Sequence, residues 1–121
     1  MGIVHINWYA TGLRADKMEA GLAGIAPIAL RYGAHAYQVH RFRDDLYKFL
    51  QTAEFDTKLE FERYWHGPEF VDFRVLASSW YQVPVLYGWT DLVVAGTLEP
   101  EEAAPAPRGL EDAAPTGELA G

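Results

Sequence analysis

Four short stretches that are typical of strands constrain the fold more than any other feature of this sequence. They are 3–9 (IVHINWY), 34–42, 46–55 and 85–95. The first is rich in β-branched and aromatic residues and has a period of two, which is typical of a strand that buries one face. Polar turn residues at 43–45 (RDD) separate the second stretch from the third. The sequence therefore predicts four strands, the middle two forming an antiparallel hairpin.

The first of two helical stretches follows the first strand and runs from about residue 14 to residue 32. Its apolar residues recur at helical spacing and predict one buried stripe. Pro27 lies inside the stretch and predicts a kink or one lost hydrogen bond, and Gly33 is expected to end the helix. The predicted stripe consists of Met18, Leu22, Ile25, Ala29 and Tyr32.

The second helical stretch follows the hairpin and begins with a capping box. Thr57 and Glu60 have the spacing at which each side chain binds the other residue's backbone amide. The apolar pattern continues to about Leu76, and Gly67-Pro68 predicts a break inside it. Two helices thus alternate with the four strands.

The order β-α-β-β-α-β predicts an α+β, ferredoxin-like fold with a four-stranded antiparallel sheet and two helices on one face. We expect large aromatic groups to remain on the other face, whichever register the strands adopt. Such a face is not left in water, and two copies packed sheet to sheet would cover it. The sequence therefore predicts a homodimer, a dimeric α/β barrel.

Composition divides the chain near residue 98. All seventeen aromatic residues lie in 1–98, which has a formal charge of −2. Residues 99–121 hold four of the seven prolines and a charge of −5, which is typical of a disordered tail. We predict a folded domain over 1–98 and an acidic Ala/Pro-rich tail over 99–121. A protein partner docking on that tail is the functional alternative.

Several classes of protein are disfavoured by what the sequence lacks. It has no cysteine, so thiolate metal sites and disulfides are excluded, and its four histidines do not have metal-ligand spacing. No basic stripe for nucleic acid and no apolar run of about 20 residues for a membrane is found. The N-terminus does not resemble a signal peptide, so a cytoplasmic location is expected. No nucleotide-binding or serine-nucleophile motif occurs.

Polar and aromatic side chains on the first and last strands are the candidates for a small-molecule site. Asn7 is notable because asparagine is depleted in strands, and a buried amide needs hydrogen-bond partners. It therefore either holds the structure together or contacts a ligand. The residues expected to line an aromatic pocket between sheet and helix are His5, Asn7, Tyr9, Tyr64, Trp65, His66, Tyr87, Trp89 and Asp91, and Tyr37 is a further candidate for substrate binding.

The element order, the first-strand segment His5-Ile6-Asn7 and the segment 61–70 (FERYWHGPEF) resemble the antibiotic biosynthesis monooxygenase superfamily, a group of dimeric α/β barrels. The resemblance covers about residues 3–95. It implies either a cofactor-independent oxygenase of quinols and anthrones or a haem-degrading enzyme. The haem-degrading branch has an iron-ligating histidine nine or ten residues after the tryptophan that matches Trp65. Arg74 and Val75 stand there instead, which disfavours haem as a cofactor, although His66 is a candidate relocated ligand.

The sequence and the resemblance together predict a cofactor-independent monooxygenase acting on an aromatic, quinol- or anthrone-like molecule. Asn7 and Trp65 match positions that the resemblance implicates in catalysis, and His5 is a candidate base with His35, Asp91 or water as alternatives. The competing hypothesis is a non-catalytic dimeric binding module whose acidic tail docks a partner.

Overall fold

The computed structural model describes residues 1–98, and the predicted acidic tail lies outside this part of the chain. The described residues form four strands, three α-helices and one 3-10 helix. In chain order these are β1 (Gly2–Tyr9), α1 (Ala15–Ile25), the 3-10 helix (Ala26–Tyr32), β2 (Ala36–Arg41), β3 (Lys48–Phe55), α2 (Lys58–Trp65), α3 (Pro68–Leu76) and β4 (Leu86–Asp91).

The strands form one antiparallel sheet in the order β2-β3-β1-β4. β1 lies inside the sheet, with Ile6 paired with Gln51 of β3 on one side and Tyr87 of β4 on the other. β2 and β4 are the two edges. The predicted α+β, ferredoxin-like fold and the β2–β3 hairpin are confirmed.

Helix boundaries follow local signals in the sequence. α1 changes to a 3-10 helix where Pro27 removes a backbone donor, and Gly33, at φ 102°, ends that helix in the left-handed region that glycine tolerates best. The capping box of α2 forms as predicted, with Thr57 and Glu60 each accepting from the other's backbone amide. Gly67 and Pro68 separate α2 from α3.

The helices cover one face of the sheet, and the core lies between them. Val4, Ile6 and Trp8 of β1 point into this core and are buried. The predicted stripe of the first helical stretch also faces it, since Met18 and Leu22 are fully buried.

The other face of the sheet, the open face, carries none of the helices of residues 1–98 and is mostly polar. On β1 it consists of Ile3, His5, Asn7 and Tyr9, and Tyr9 is the single aromatic residue that the described strands place there. The expectation of large aromatic groups on this face is therefore wrong. The strand aromatics pair instead with helix-side neighbours, because in this register Trp8, Tyr37, Phe49, Phe55, Tyr87 and Trp89 all share a face with Val4 or Ile6.

Candidate functional site

The sheet separates two of the predicted catalytic residues. Asn7 is exposed on the open face, level with Leu50 and Leu86. Trp65 ends α2 on the helix side, where its ring centroid lies 6.3 Å from that of Trp8. Since neighbouring strand residues point to opposite faces, Asn7 and Trp65 cannot line one pocket within a chain. The prediction of a single pocket between sheet and helix is therefore wrong.

Asn7 and His5 line shallow depressions on the open face. Asn7 borders one of about 250 Å³ together with Tyr9, Lys48 and Leu86. His5 borders a second of about 210 Å³, whose other polar walls come from Gln38, Thr52 and Glu54. The hydroxyl of Tyr9 donates a hydrogen bond to Asp45, which raises the pKa of Tyr9. The roles proposed for Asn7 and His5 stay predictions.

The remaining predicted contact residues are dispersed. Tyr64 is fully buried, so it offers no surface to a substrate in this conformation. Its hydroxyl donates to the carbonyl of Ile25 at 2.7 Å, and burial raises its pKa. Tyr37 lies on edge strand β2, and Asp91 is exposed at the end of β4. Trp89 lies on the helix side, over Gly2.

An aromatic cluster reaches the surface where α2 and α3 pack under β4, and we call it the edge cluster. Tyr87 of β4 contacts two rings of α2, with centroids 5.0 Å from Phe61 and 5.2 Å from Trp65. Trp65 in turn lies 4.9 Å from Phe70 of α3. Phe61 and Phe70 are buried, whereas Trp65 is partly exposed and Tyr87 is 41% exposed. The cluster therefore presents aromatic surface to solvent beside an edge strand.

Arg74 of α3 completes the edge cluster. Its guanidinium carbon lies 4.1 Å from the ring centroid of Trp65 and 5.0 Å from that of Phe70, which is cation–π geometry. Its Nη1 atom is buried without a hydrogen-bond partner. Desolvation lowers the pKa of Arg74, while Tyr81 and Tyr87 act in the opposite direction.

Sequence reasoning missed Arg74 as a site residue. Position 74 was notable in the sequence only because it lacks the iron-ligating histidine of the haem-degrading branch. The signal that could have identified Arg74 is a cation within α3, whose sequence PEFVDFRVL consists mostly of apolar residues. An arginine so placed needs an aromatic or anionic partner.

The described residues offer little for a metal ion. Residues 1–98 contain no group of three or more histidines, cysteines and acids that could hold one. His35 instead pairs with Asp56 at 2.8 Å on the surface, which raises the pKa of His35. His66, the candidate relocated haem ligand, is an exposed residue at the end of α2. None of the helices in 1–98 is long and apolar enough to span a bilayer.

Comparison with known proteins supplies a fold assignment. No family model matches the sequence, and no curated protein is significantly similar to it. Among solved structures, a candidate antibiotic biosynthesis monooxygenase from Deinococcus radiodurans has a TM-score of 0.70 at 17% identity, covering 82% of this chain and 99% of that one. Another antibiotic biosynthesis monooxygenase has a TM-score of 0.69 at 13% identity, covering 78% of this chain and 100% of that one.

A third similar structure is SnoaB from Streptomyces nogalater, a cofactor-independent oxygenase. Its TM-score is 0.61 at 17% identity, with 82% of this chain and 97% of that one covered. Identities this low establish the fold and not the activity. The described part of the chain has the antibiotic biosynthesis monooxygenase-like fold.

Proposed function

We propose that this protein is a cofactor-independent oxygenase that binds a planar aromatic molecule, of the quinol or anthrone type, at the edge cluster. The partly exposed pair Trp65 and Tyr87, with centroids 5.2 Å apart, carries the proposal. Two rings in contact at the surface, with further rings packed behind them, form a rigid apolar wall. A flat aromatic molecule is the ligand that such a wall favours.

The position of the cluster supports binding there. β4 is an edge strand, so no further strand of the described sheet covers its outer side. Trp8 is buried and stacks against Phe70 of the edge cluster. The wall is therefore held in place by the core, which limits the ordering cost of binding.

The reaction requires the protein to position the substrate, and it requires no redox group on the protein. An anthrone-like CH₂ loses a proton to solvent water, and the resulting carbanion transfers one electron to O₂. Recombination of the two radicals forms a C–O bond and a peroxide anion, which takes a proton back from solvent. Loss of the second C–H proton to water cleaves the O–O bond and forms the carbonyl, and the departing hydroxide is protonated to water. The substrate supplies every electron, so no reductant is needed.

Trp65 is the residue that we propose to contact the substrate ring. SnoaB, a cofactor-independent oxygenase of the same fold, supports this class of reaction. Asn7 and His5 take part only if the substrate binds the open face instead. Those two locations lie on opposite sides of the sheet, so variants separate them.

The test is oxygen uptake by the full chain with a panel of hydroquinones, naphthoquinols and anthrones, with spontaneous oxidation subtracted. We expect uptake that depends on the protein and falls at least tenfold in Trp65→Leu, since the ring wall is lost. Trp80→Leu is the matched control because Trp80 is partly buried between α1 and α3. Asn7→Ala is expected to retain activity.

Two outcomes contradict the proposal. Loss of uptake in Asn7→Ala, with Trp65→Leu unaffected, would move the site to the open face. No uptake with any substrate would argue against an oxygenase and favour the binding-module hypothesis, which deletion of 99–121 followed by partner recovery then tests.

A further inference from the structure

We infer that the edge cluster accepts its aromatic ligand as an anion, with the negative oxygen held by Arg74. This inference rests on the proposed function, because it places the ligand ring against Trp65 and Tyr87. The shared chemistry is an anionic oxygen on an aromatic ring. Its source is either an ionised hydroxyl or a carboxylate.

The first observation is that Arg74 is a cation without a counter-ion among the described residues. The ion pairs within 1–98 involve Arg31, His35 and Arg41, and none involves Arg74. Arg41, by contrast, is paired with carboxylates of Asp16 and Glu19 at 3.0 and 2.8 Å. No carboxylate of residues 1–98 lies within 4.0 Å of Arg74. Its positive charge is therefore available to a ligand.

The second observation is the position of the guanidinium over an aromatic ring. The guanidinium carbon of Arg74 lies 4.1 Å from the ring centroid of Trp65. A guanidinium stacked on a ring uses its flat face there and leaves the N–H groups in its own plane for other partners. Its Nη1 is buried and makes no hydrogen bond, and an unpaired polar group in such a position is costly. The Arg74 side chain as a whole is only partly buried, so an anionic oxygen contacts the exposed part of the guanidinium and makes a charge-assisted bond there.

The third observation is that Arg74 lies next to the exposed rings of the edge cluster. Trp65 contacts Tyr87 on one side and Arg74 on another, and Tyr87 is close enough to influence the pKa of Arg74. A ring held against Trp65 and Tyr87 therefore carries its substituents beside the guanidinium. In the proposed reaction this contact favours the ionised substrate, which is the form that reduces oxygen.

Calorimetric titration of the full chain with matched ligands tests the inference. The probes are 2-naphthoate and its neutral isostere 2-naphthamide. We expect 2-naphthoate to bind at least tenfold more tightly to the wild type. Arg74→Gln should abolish this difference, and Arg74→Lys should restore part of it because the charge returns without the planar fork. Arg63→Gln is the matched control, since Arg63 is exposed on α2.

A second probe, 4-nitrophenol, distinguishes the two anion sources. Its affinity is measured at pH values below and above the pKa of its hydroxyl group. Binding that strengthens as the phenol ionises, in wild type and not in Arg74→Gln, identifies an ionised hydroxyl as a ligand. A preference for 2-naphthoate without this change identifies a carboxylate.

The possible failures are distinguishable. Equal affinity for 2-naphthoate and 2-naphthamide, with both weakened by Trp65→Leu, overturns the inference and leaves the aromatic site of the proposed function standing. An anion preference that persists in Arg74→Gln, in a variant whose melting temperature shows a folded protein, also overturns it. Absence of binding by all three probes contradicts the inference and the aromatic site together.

Discussion

Gln51 shows, at the scale of a single residue, how the aromatic core is kept in one arrangement. Apart from the aromatic residues, it is the single buried polar side chain of residues 1–98. It lies between the rings of Trp8 and Tyr64. Its Oε1 accepts from Trp8 Nε1 at 3.0 Å, and its Nε2 donates to the Tyr64 hydroxyl at 3.1 Å. The amide therefore holds the indole of β1 in register with α2.

We predict that Gln51→Met destabilises the protein by about 1–3 kcal/mol, because the indole N–H of Trp8 stays buried without an acceptor. Tyr64 keeps its hydrogen bond to the carbonyl of Ile25, so the loss is concentrated at Trp8. Urea denaturation followed by fluorescence measures the change. Gln82→Met, at an exposed position after α3, is the control and should stay within about 0.5 kcal/mol. Equal effects of the two substitutions would contradict the argument.

At the scale of secondary-structure elements, the start of α2 shows how a short motif determines where a helix begins. The Thr57 hydroxyl accepts from the Glu60 amide at 3.3 Å, and the Glu60 carboxylate accepts from the Thr57 and Asp56 amides at 3.2 and 3.1 Å. Three amides at this N-terminus thus have side-chain acceptors. α2 places Trp65 in the edge cluster, so its start influences the candidate site.

We predict that Thr57→Ala lowers the free energy of unfolding by about 1 kcal/mol, the usual cost of losing an N-cap side chain. Thermal and urea unfolding of the variant measure this value. Thr97→Ala, in the exposed segment after β4, provides the comparison and should be neutral. A neutral Thr57→Ala variant would show that packing of Phe61 and Tyr64, and not the cap, decides where α2 begins.

At the scale of the whole molecule, the open face of the sheet is a broad surface that none of the helices of residues 1–98 covers. It is mixed in character, since Leu86 is 64% exposed and Tyr9 is 42% exposed beside polar Asn7 and His5. This is less apolar than the sequence pattern implies. Leu86, Leu50 and Ile3 nevertheless provide apolar groups that a second sheet can cover.

We predict that the chain forms a homodimer through this face, with a mass twice the 13.6 kDa of one chain. Leu86→Lys should shift the population towards monomer, because it places a charge on the buried interface. Light scattering across a range of concentrations measures the change. Leu59→Lys, on the exposed side of α2, should have no effect. A wild-type protein that is monomeric throughout would exclude this interface.

The sequence predicted the elements well because their signals are local. The turn after Phe42, the capping box, Pro27 and the Gly67-Pro68 break each act over a few residues, and the structure has an element boundary at or beside each of them. The strand ends were less accurate. The last strand was predicted to reach Ala95 but ends at Asp91, because β1 begins at Gly2 and offers no partner beyond it.

The candidate site was predicted less well, for a geometric reason. Alternation in β1 sorts its residues into two faces, but the face that meets the helices depends on elements distant in sequence. Asn7 was therefore placed with Trp65, and the sheet separates them. Arg74 is a second example, since its contact with Trp65 arises only when α3 folds back beside α2.

The sequence by itself determined the order of strands and helices, the caps and breaks of the helices, and the α+β class, because neighbouring residues impose these through backbone geometry and hydrogen bonding. Only the tertiary structure decided which side chains share a surface. Packing of α2 and α3 against β1 and β4 brings Trp65, Tyr87 and Arg74 together and leaves Asn7 on the far side. Contacts between distant residues depend on that packing, which no local pattern encodes.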